Sequence, residues 1–241
     1  MQSSLYVALS AQVALQKRME TLANNVANAS TVGFRGERTK FESLLSDATS
    51  ESVAFASTGD TYLNRDAGPL IRTDNPLDIA VRGDAWFGIQ TPAGPVYTRD
   101  GRMQIAAGGD LQSINGYPIL DVGGAPIVIN PAAGPVQIAN DGMIKQNNQQ
   151  VGAVGLFTID AHAKLSRYEN SGVIPDTPAA PALDFSRVGV AQGYVEGANV
   201  NPMLEMSQLI MASRTFEAVS SSINQSSNSL DEAIKALGPT S

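Results

Sequence analysis

The stretch "TLANNVANASTVGFRGE", residues 21–37, decides how this chain is read. Apolar residues recur in it at the three- and four-residue spacing of a helix face, until Ser30, Thr31 and Gly33 break the period. Asn24, Asn25 and Asn28 lie inside the helical part, where a short amide is disfavoured because it competes for backbone hydrogen bonds. A helix with amides at three positions near its end needs partners for them.

Working back from Ala29, the stripe continues through Val26, Leu22, Met19, Leu15, Ala8, Leu5 and Met1, broken only by Gln12. This spacing, without Gly or Pro before Gly33, predicts an N-terminal assembly helix over residues 1–30 with a coiled-coil seam. The other end repeats the pattern at Leu209, Ala212, Phe216, Val219, Ile223, Ser226, Leu230, Ala233 and Leu237. Pro202 suits a first turn and Gly238-Pro239 a stop, so residues 193–241 read as a C-terminal assembly helix with its lead-in. Its back is unusual. Residues 220–229, "SSSINQSSNS", carry six Ser and two Asn where a free surface helix favours Ala, Glu, Lys or Arg. Small uncharged side chains there predict a helix later enclosed by other helices. On the same account Asn24, Asn25 and Asn28 are packing and register groups of an assembly.

Between the ends the period shortens to two. Runs such as "LDIAV", "WFGIQ", "MQIA", "APIVI" and "VGLFTI" are separated by Asp100-Gly101, Gly108-Gly109, Asn115-Gly116, Gly123-Gly124 and Asp141-Gly142, which suit the positive φ angles of hairpin turns. Residues 78–192 therefore read as a central antiparallel all-β domain, and residues 31–77 as an extended linker or arm. The fold class is α+β, with the terminal helices pairing as a coiled-coil assembly domain.

Composition narrows the function. The 241 residues carry a formal net charge of -7, with 16% charged, which disfavours a nucleic-acid partner. Arg35, Arg38 and Lys40, diluted by Glu37 and Glu42, read as a solvated loop. There is no cysteine, hence no disulfide and no thiolate site. The N-terminus lacks the pattern of a cleaved secretory signal, and no stretch approaches the ~20 apolar residues of a membrane span. His162 is the only histidine, so a two-His zinc site is impossible, and no G-x-S-x-G elbow occurs. Asp60, Asp66, Asp74, Asp78 and Asp84 could supply an acid and base for glycoside cleavage but sit where turn formers sit. No catalytic, cofactor or metal residues are assigned, and no small-molecule substrate is expected.

The segments "ANNVANASTVGFR", "PLDIAVRGDAWFGIQ" with "VYTRDGRMQI", and "GYVEGANVNPMLEMSQLIMASRTFEA" resemble, in order, the N-terminal, central β and C-terminal motifs of the bacterial flagellar rod and hook proteins. Trp86 in "DAWF" and the sequence "ASRTFEA" are more similar to proximal-rod than to distal-rod members; Val32 stands where many members carry proline. The resemblance implies an axial structural subunit of the basal body, a distal-rod or hook-family protein being the alternative. A periplasmic carbohydrate-active enzyme is the remote one. It further implies export by the flagellar type III apparatus without a cleaved signal, and assembly in the periplasm with other rod proteins and copies of itself. The terminal helices would line a tube, with the β domain outside. On this reading the assembly interface comprises Leu5, Leu15, Met19, Leu22, Asn24, Asn25, Val26, Asn28, Leu209, Phe216, Val219, Ile223 and Leu230. The exit turn adds Gly33 and Phe34, and the C-terminal motif adds Asn199, Asn201 and Met206.

Overall fold

Two long helices begin and end the chain, as their apolar stripes require: α1 is Gln2–Ala27 and α2 is Pro202–Leu237. A computed structural model describes residues 2–40, 43–46, 53–56 and 59–237; Gly238-Pro239, expected as the stop of α2, lies outside them. Pro202 takes the first position of α2, where its missing N–H would have had no intrahelical partner. Asn201 caps that helix, its Oδ1 accepting from the backbone N–H groups of Met203 (3.1 Å) and Leu204 (3.2 Å). Glu205 in the first turn and Lys235 in the last complement the helix dipole.

The chain divides into two units. The helical unit contains α1, residues 37–62 and α2. Within it α1 packs along α2, and Asn25 in the last turn of α1 donates to Glu205 in the first turn of α2, so the helices run antiparallel. The burial is narrow: Ala14, Thr21, Leu22, Asn25 and Ala212 are buried, while Leu209, Phe216, Val219 and Ile223 are half-buried on the same side of α2. Much of the stretch read as a linker is strand. Glu37–Lys40 pairs with Asp60–Leu63, and Ser43–Ser46 pairs antiparallel with Val53–Ala56, which lies against α1.

The second unit comprises residues 28–36 and 63–200. Its largest sheet has six strands in the order Leu165–Tyr168, Gly172–Pro175, Gly94–Thr98, Trp86–Thr91, Leu156–Thr158 and Ala180–Pro181. Ala180–Pro181, inside the expected Pro/Ala connection, pairs as an edge strand, where proline's missing donor is tolerated. Ile79–Arg82 pairs with Gly189–Gln192, and Leu70–Arg72 with Tyr194–Glu196. Ile79, Phe87, Val96, Leu111, Ile119 and Ile144 anchor the main core, each fully buried. Four of the five glycine dipeptides turn as expected, with Gly109, Gly116, Gly124 and Gly142 at positive φ and each N–H bonded to the carbonyl three residues earlier. Gly101 differs. It is not in the positive-φ region, and a Cβ there would stand 1.7 Å from the Ile79 carbonyl oxygen, so close backbone approach is what requires glycine.

Candidate functional site

After α1 the chain enters the β unit at Asn28 and turns, with Thr31 N–H bonded to the Asn28 carbonyl at 2.9 Å, before reaching Gly33. Gly33 has φ +71° and donates to the Glu196 carbonyl at 2.7 Å. A Cβ on it would lie 2.3 Å from the Asp100 nitrogen, so no other residue lets this segment approach so closely. Phe34 follows, fully buried, with the Arg167 guanidinium 4.4 Å from its ring centroid.

Arg35 is the next residue, and the expectation of a solvated basic loop fails there. It is 1% exposed, and its Nη2 donates to Glu196 Oε1 at 2.7 Å. Arg38 and Lys40, three and five residues further on, are exposed. Glu196 is wholly buried. Its Oε1 also accepts from Gly68 N–H at 2.7 Å, and its Oε2 accepts from Arg99 Nη1 at 3.1 Å. Arg99 donates from Nη2 to the Gly83 carbonyl at 2.8 Å and has exposed Asp84 3.9 Å away. Both guanidinium groups lie over Trp86, at 5.5 Å for Arg35 and 5.0 Å for Arg99. Burial holds Arg99 below the ordinary arginine pKa, and Glu196 opposes that shift. Two cations share one carboxylate here, sealed from water on an aromatic face. The cluster joins three distant segments and offers no cleft or exposed nucleophile, so its work is architectural.

In the helical unit the asparagines find partners at home. Asn25 donates to the Glu37 carbonyl (2.8 Å) and to Glu205 Oε2 (3.2 Å), and its Oδ1 accepts from Glu37 N–H (2.8 Å). This amide is saturated within one chain. The same holds for Asn199 of the β unit, which accepts from Gly36 N–H and donates to the Asn64 and Asp66 carbonyls. Asn28 accepts from the Thr31 hydroxyl at 3.2 Å, and Asn24 is half-buried. Asn25, Asn199 and the cap Asn201 thus make their hydrogen bonds within the single subunit. Leu15, Met19, Val26, Leu209, Phe216, Val219 and Ile223 are half-buried, Leu22 is buried, and Met206 is exposed. The side chains of Leu5 and Leu230 lie outside what is described.

The Asp residues weighed as acid and base are scattered. Asp74 pairs with Arg72 at 2.6 Å, Asp78 accepts from Asn75, and Asp84 faces Arg99. His162 sits in an exposed turn whose backbone N–H is capped by Asp160. Among the described residues no three His, Asp or Glu side chains gather as a metal-ligand set, and no helix is long and apolar enough to cross a membrane.

Sequence reasoning passed over Arg99 and Glu196. The available signal was a lone carboxylate in the apolar, glycine-flanked run "YVEGA", since an isolated charge inside such a run demands a buried partner.

Three family models match the chain: the flagella basal body rod protein over residues 5–35, the flagellar hook protein FlgE/F/G D1 domain over 80–146, and the flagellar basal body rod FlgEFG protein C-terminal over 191–236. Arg35 falls in the first match, Trp86 and Arg99 in the second, and Glu196 in the third. The flagellar basal-body rod protein FlgF of Mesorhizobium japonicum is 53% identical over 241 residues, covering all of both chains. FlgF of Rhizobium meliloti is 48% identical over 238 residues, 99% of each. FlgG of Bacillus subtilis, also a flagellar basal-body rod protein, is 29% identical over 259 residues, covering 96% of this chain and 97% of its own.

Proposed function

The chain belongs to the flagellar basal-body rod protein family and is a structural subunit of the proximal rod rather than an enzyme; from that premise we propose that it builds the rod by packing the free faces of its helix pair against neighbouring subunits. The observation that carries this reading is the back of α2. Ser221, Ser222, Asn224, Gln225, Asn228 and Ser229 are all exposed in a helix that its neighbour covers on one side only. Such a face has little intrinsic helix preference and no charge to keep it solvated, and it becomes favourable once other helices close over it. The same packing would place α1 and α2 of successive subunits side by side in coiled-coil fashion around a tube, with other rod proteins as further neighbours.

Passage through the flagellar type III apparatus and assembly in the periplasm complete the proposal. A cysteine-free chain supports it, because folding after export then needs no oxidative step.

The test is a pair of charges on that face. In cells whose own copy is deleted, a chain with Asn224→Glu and Asn228→Glu should fail to support swimming and should yield no complete basal bodies, while the β unit of the purified full-length variant, followed by the fluorescence of the sole tryptophan Trp86, melts as in the parent. Normal motility with normal basal bodies would contradict the reading.

A further inference from the structure

Asn115 is the only asparagine of the chain followed by glycine. The pair forms a turn tip after the strand Leu111–Ser113, where Ser113 N–H donates to the Tyr117 carbonyl at 2.8 Å and Gly116 N–H to the Ser113 carbonyl at 2.9 Å. Asn115 and Gly116 are exposed, Gly116 stands at φ +85°, and a Cβ placed on it would meet nothing within 4 Å. The Gly116 nitrogen is therefore open to approach.

The Asn115 amide reaches a second turn. Its Nδ2 donates to Glu169 Oε2 at 3.3 Å, and the Tyr117 hydroxyl donates to Glu169 Oε1 at 2.6 Å. Glu169 follows the strand Leu165–Tyr168 and has φ +50°, a left-handed backbone that glycine, asparagine and aspartate adopt more readily than glutamate. Such an outlier persists where surrounding contacts hold it. Here they are the two hydrogen bonds to its carboxylate, which fasten the tip at 113–117 to the tip at 168–172. The bond to Glu169 also pushes the Tyr117 phenol pKa up, so Tyr117 remains a donor in mildly alkaline solution.

We propose that Asn115-Gly116 is a site of spontaneous deamidation, and that the modification turns this fastening into a repulsion. The Gly116 nitrogen attacks Asn115 Cγ. A C–N bond forms, the Cγ–Nδ2 bond breaks, and ammonia leaves with the proton that the Gly116 nitrogen gives up. Water then opens the cyclic imide at either carbonyl, leaving aspartate or isoaspartate, with no oxidant and no other protein required. The Gly116–Ser113 hydrogen bond opens first, at the low cost of a solvent-exposed turn tip. The product carboxylate adds one negative charge to the formal -7 and sets it against Glu169, with the donated hydrogen bond lost. The two Asp-Gly pairs are held otherwise: Asp100 is bound by Arg102 at 2.6 Å, and Asp141 accepts from Met143 N–H at 3.0 Å.

Ageing the purified full-length protein in warm, mildly alkaline buffer tests the site. Peptide mapping by mass spectrometry should find amide converted to acid, with isoaspartate present, at residue 115 before any other asparagine. Asn115→Gln, which keeps an amide but needs a larger ring to cyclise, should lose that signal. Fresh Asn115→Asp stands for the aged chain and tests the fastening by hydrogen exchange. Its Gly116 and Tyr117 amides should exchange roughly fivefold faster than in the double variant Asn115→Asp, Glu169→Gln, where an amide again faces a carboxylate across the contact. First conversion at another asparagine, or none at residue 115, would overturn the modification site. Equal exchange in the single and double variants would overturn the fastening.

Discussion

At Glu196, one carboxylate holds two guanidinium groups in a dry site on Trp86. Removing one partner of a buried ion pair leaves an uncompensated charge, which costs about 3–5 kcal/mol. Glu196→Gln keeps the shape and removes the charge, so it should lower stability by an amount in that range. Trp86 is the sole tryptophan, so its fluorescence in a urea titration reports on the cluster directly; a loss below about 1 kcal/mol would show that the pair is not holding the unit together. Gly33→Ala makes an independent check. It forces a side chain into a left-handed backbone and against the Asp100 nitrogen, so it should cost at least ~1–2 kcal/mol by the same titration. Arginine over a tryptophan face was not legible in the sequence, because the residues it joins lie far apart and Arg35 and Arg99 each look like ordinary surface charges; only Glu196, in its apolar run, signalled a buried partner. Gly33 was legible as an exit turn, though the backbone contact that requires it was not.

At the scale of elements, periodicity was the strongest signal. Both helices, the antiparallel strands and four glycine turns follow from spacing and turn chemistry, since these are local properties. What spacing could not settle was which neighbour each helix face meets. The stripe Leu209, Phe216, Val219 and Ile223, read as a surface between subunits, is half-buried on the side of α2 turned to α1. The faces left exposed carry Tyr6, Leu9 and Val13 on one helix and Met203, Met206 and Ile210 on the other. A helix apolar on two sides gives no sequence cue to which side is filled first. Asn25 ties α1 to the strand at Glu37 and to α2 at Glu205. Asn25→Ala gains a few tenths of a kcal/mol of helix propensity but strands the Glu37 N–H and carbonyl, at ~1–3 kcal/mol. The expected outcome is a net loss of stability, with faster hydrogen exchange at Glu37; an unchanged or raised melting temperature would show that the amide's bonds are replaceable.

At the scale of the whole molecule, the β unit is closed by segments from near both ends of the chain, Asn28–Gly36 and the run containing Glu196. A fragment of residues 60–195 contains Arg99 and Trp86 but neither Arg35 nor Glu196, so it should melt without cooperativity. A fragment of residues 28–200 retains the full cluster and should melt cooperatively in calorimetry; equal behaviour of the two would show that the cluster is dispensable for folding. The central claim is that this chain is a rod subunit whose helices meet their neighbours through the faces left exposed in the single subunit. A helical reconstruction of a basal body containing this chain tests it most directly. The account predicts Tyr6, Leu9 and Val13 buried against a neighbouring subunit, and Met203, Met206 and Ile210 likewise, with Arg35, Glu196 and Arg99 still joined inside each β unit. Both stripes facing solvent in the assembled rod, or the helix pair opened and its inner seam shared between subunits, would contradict it.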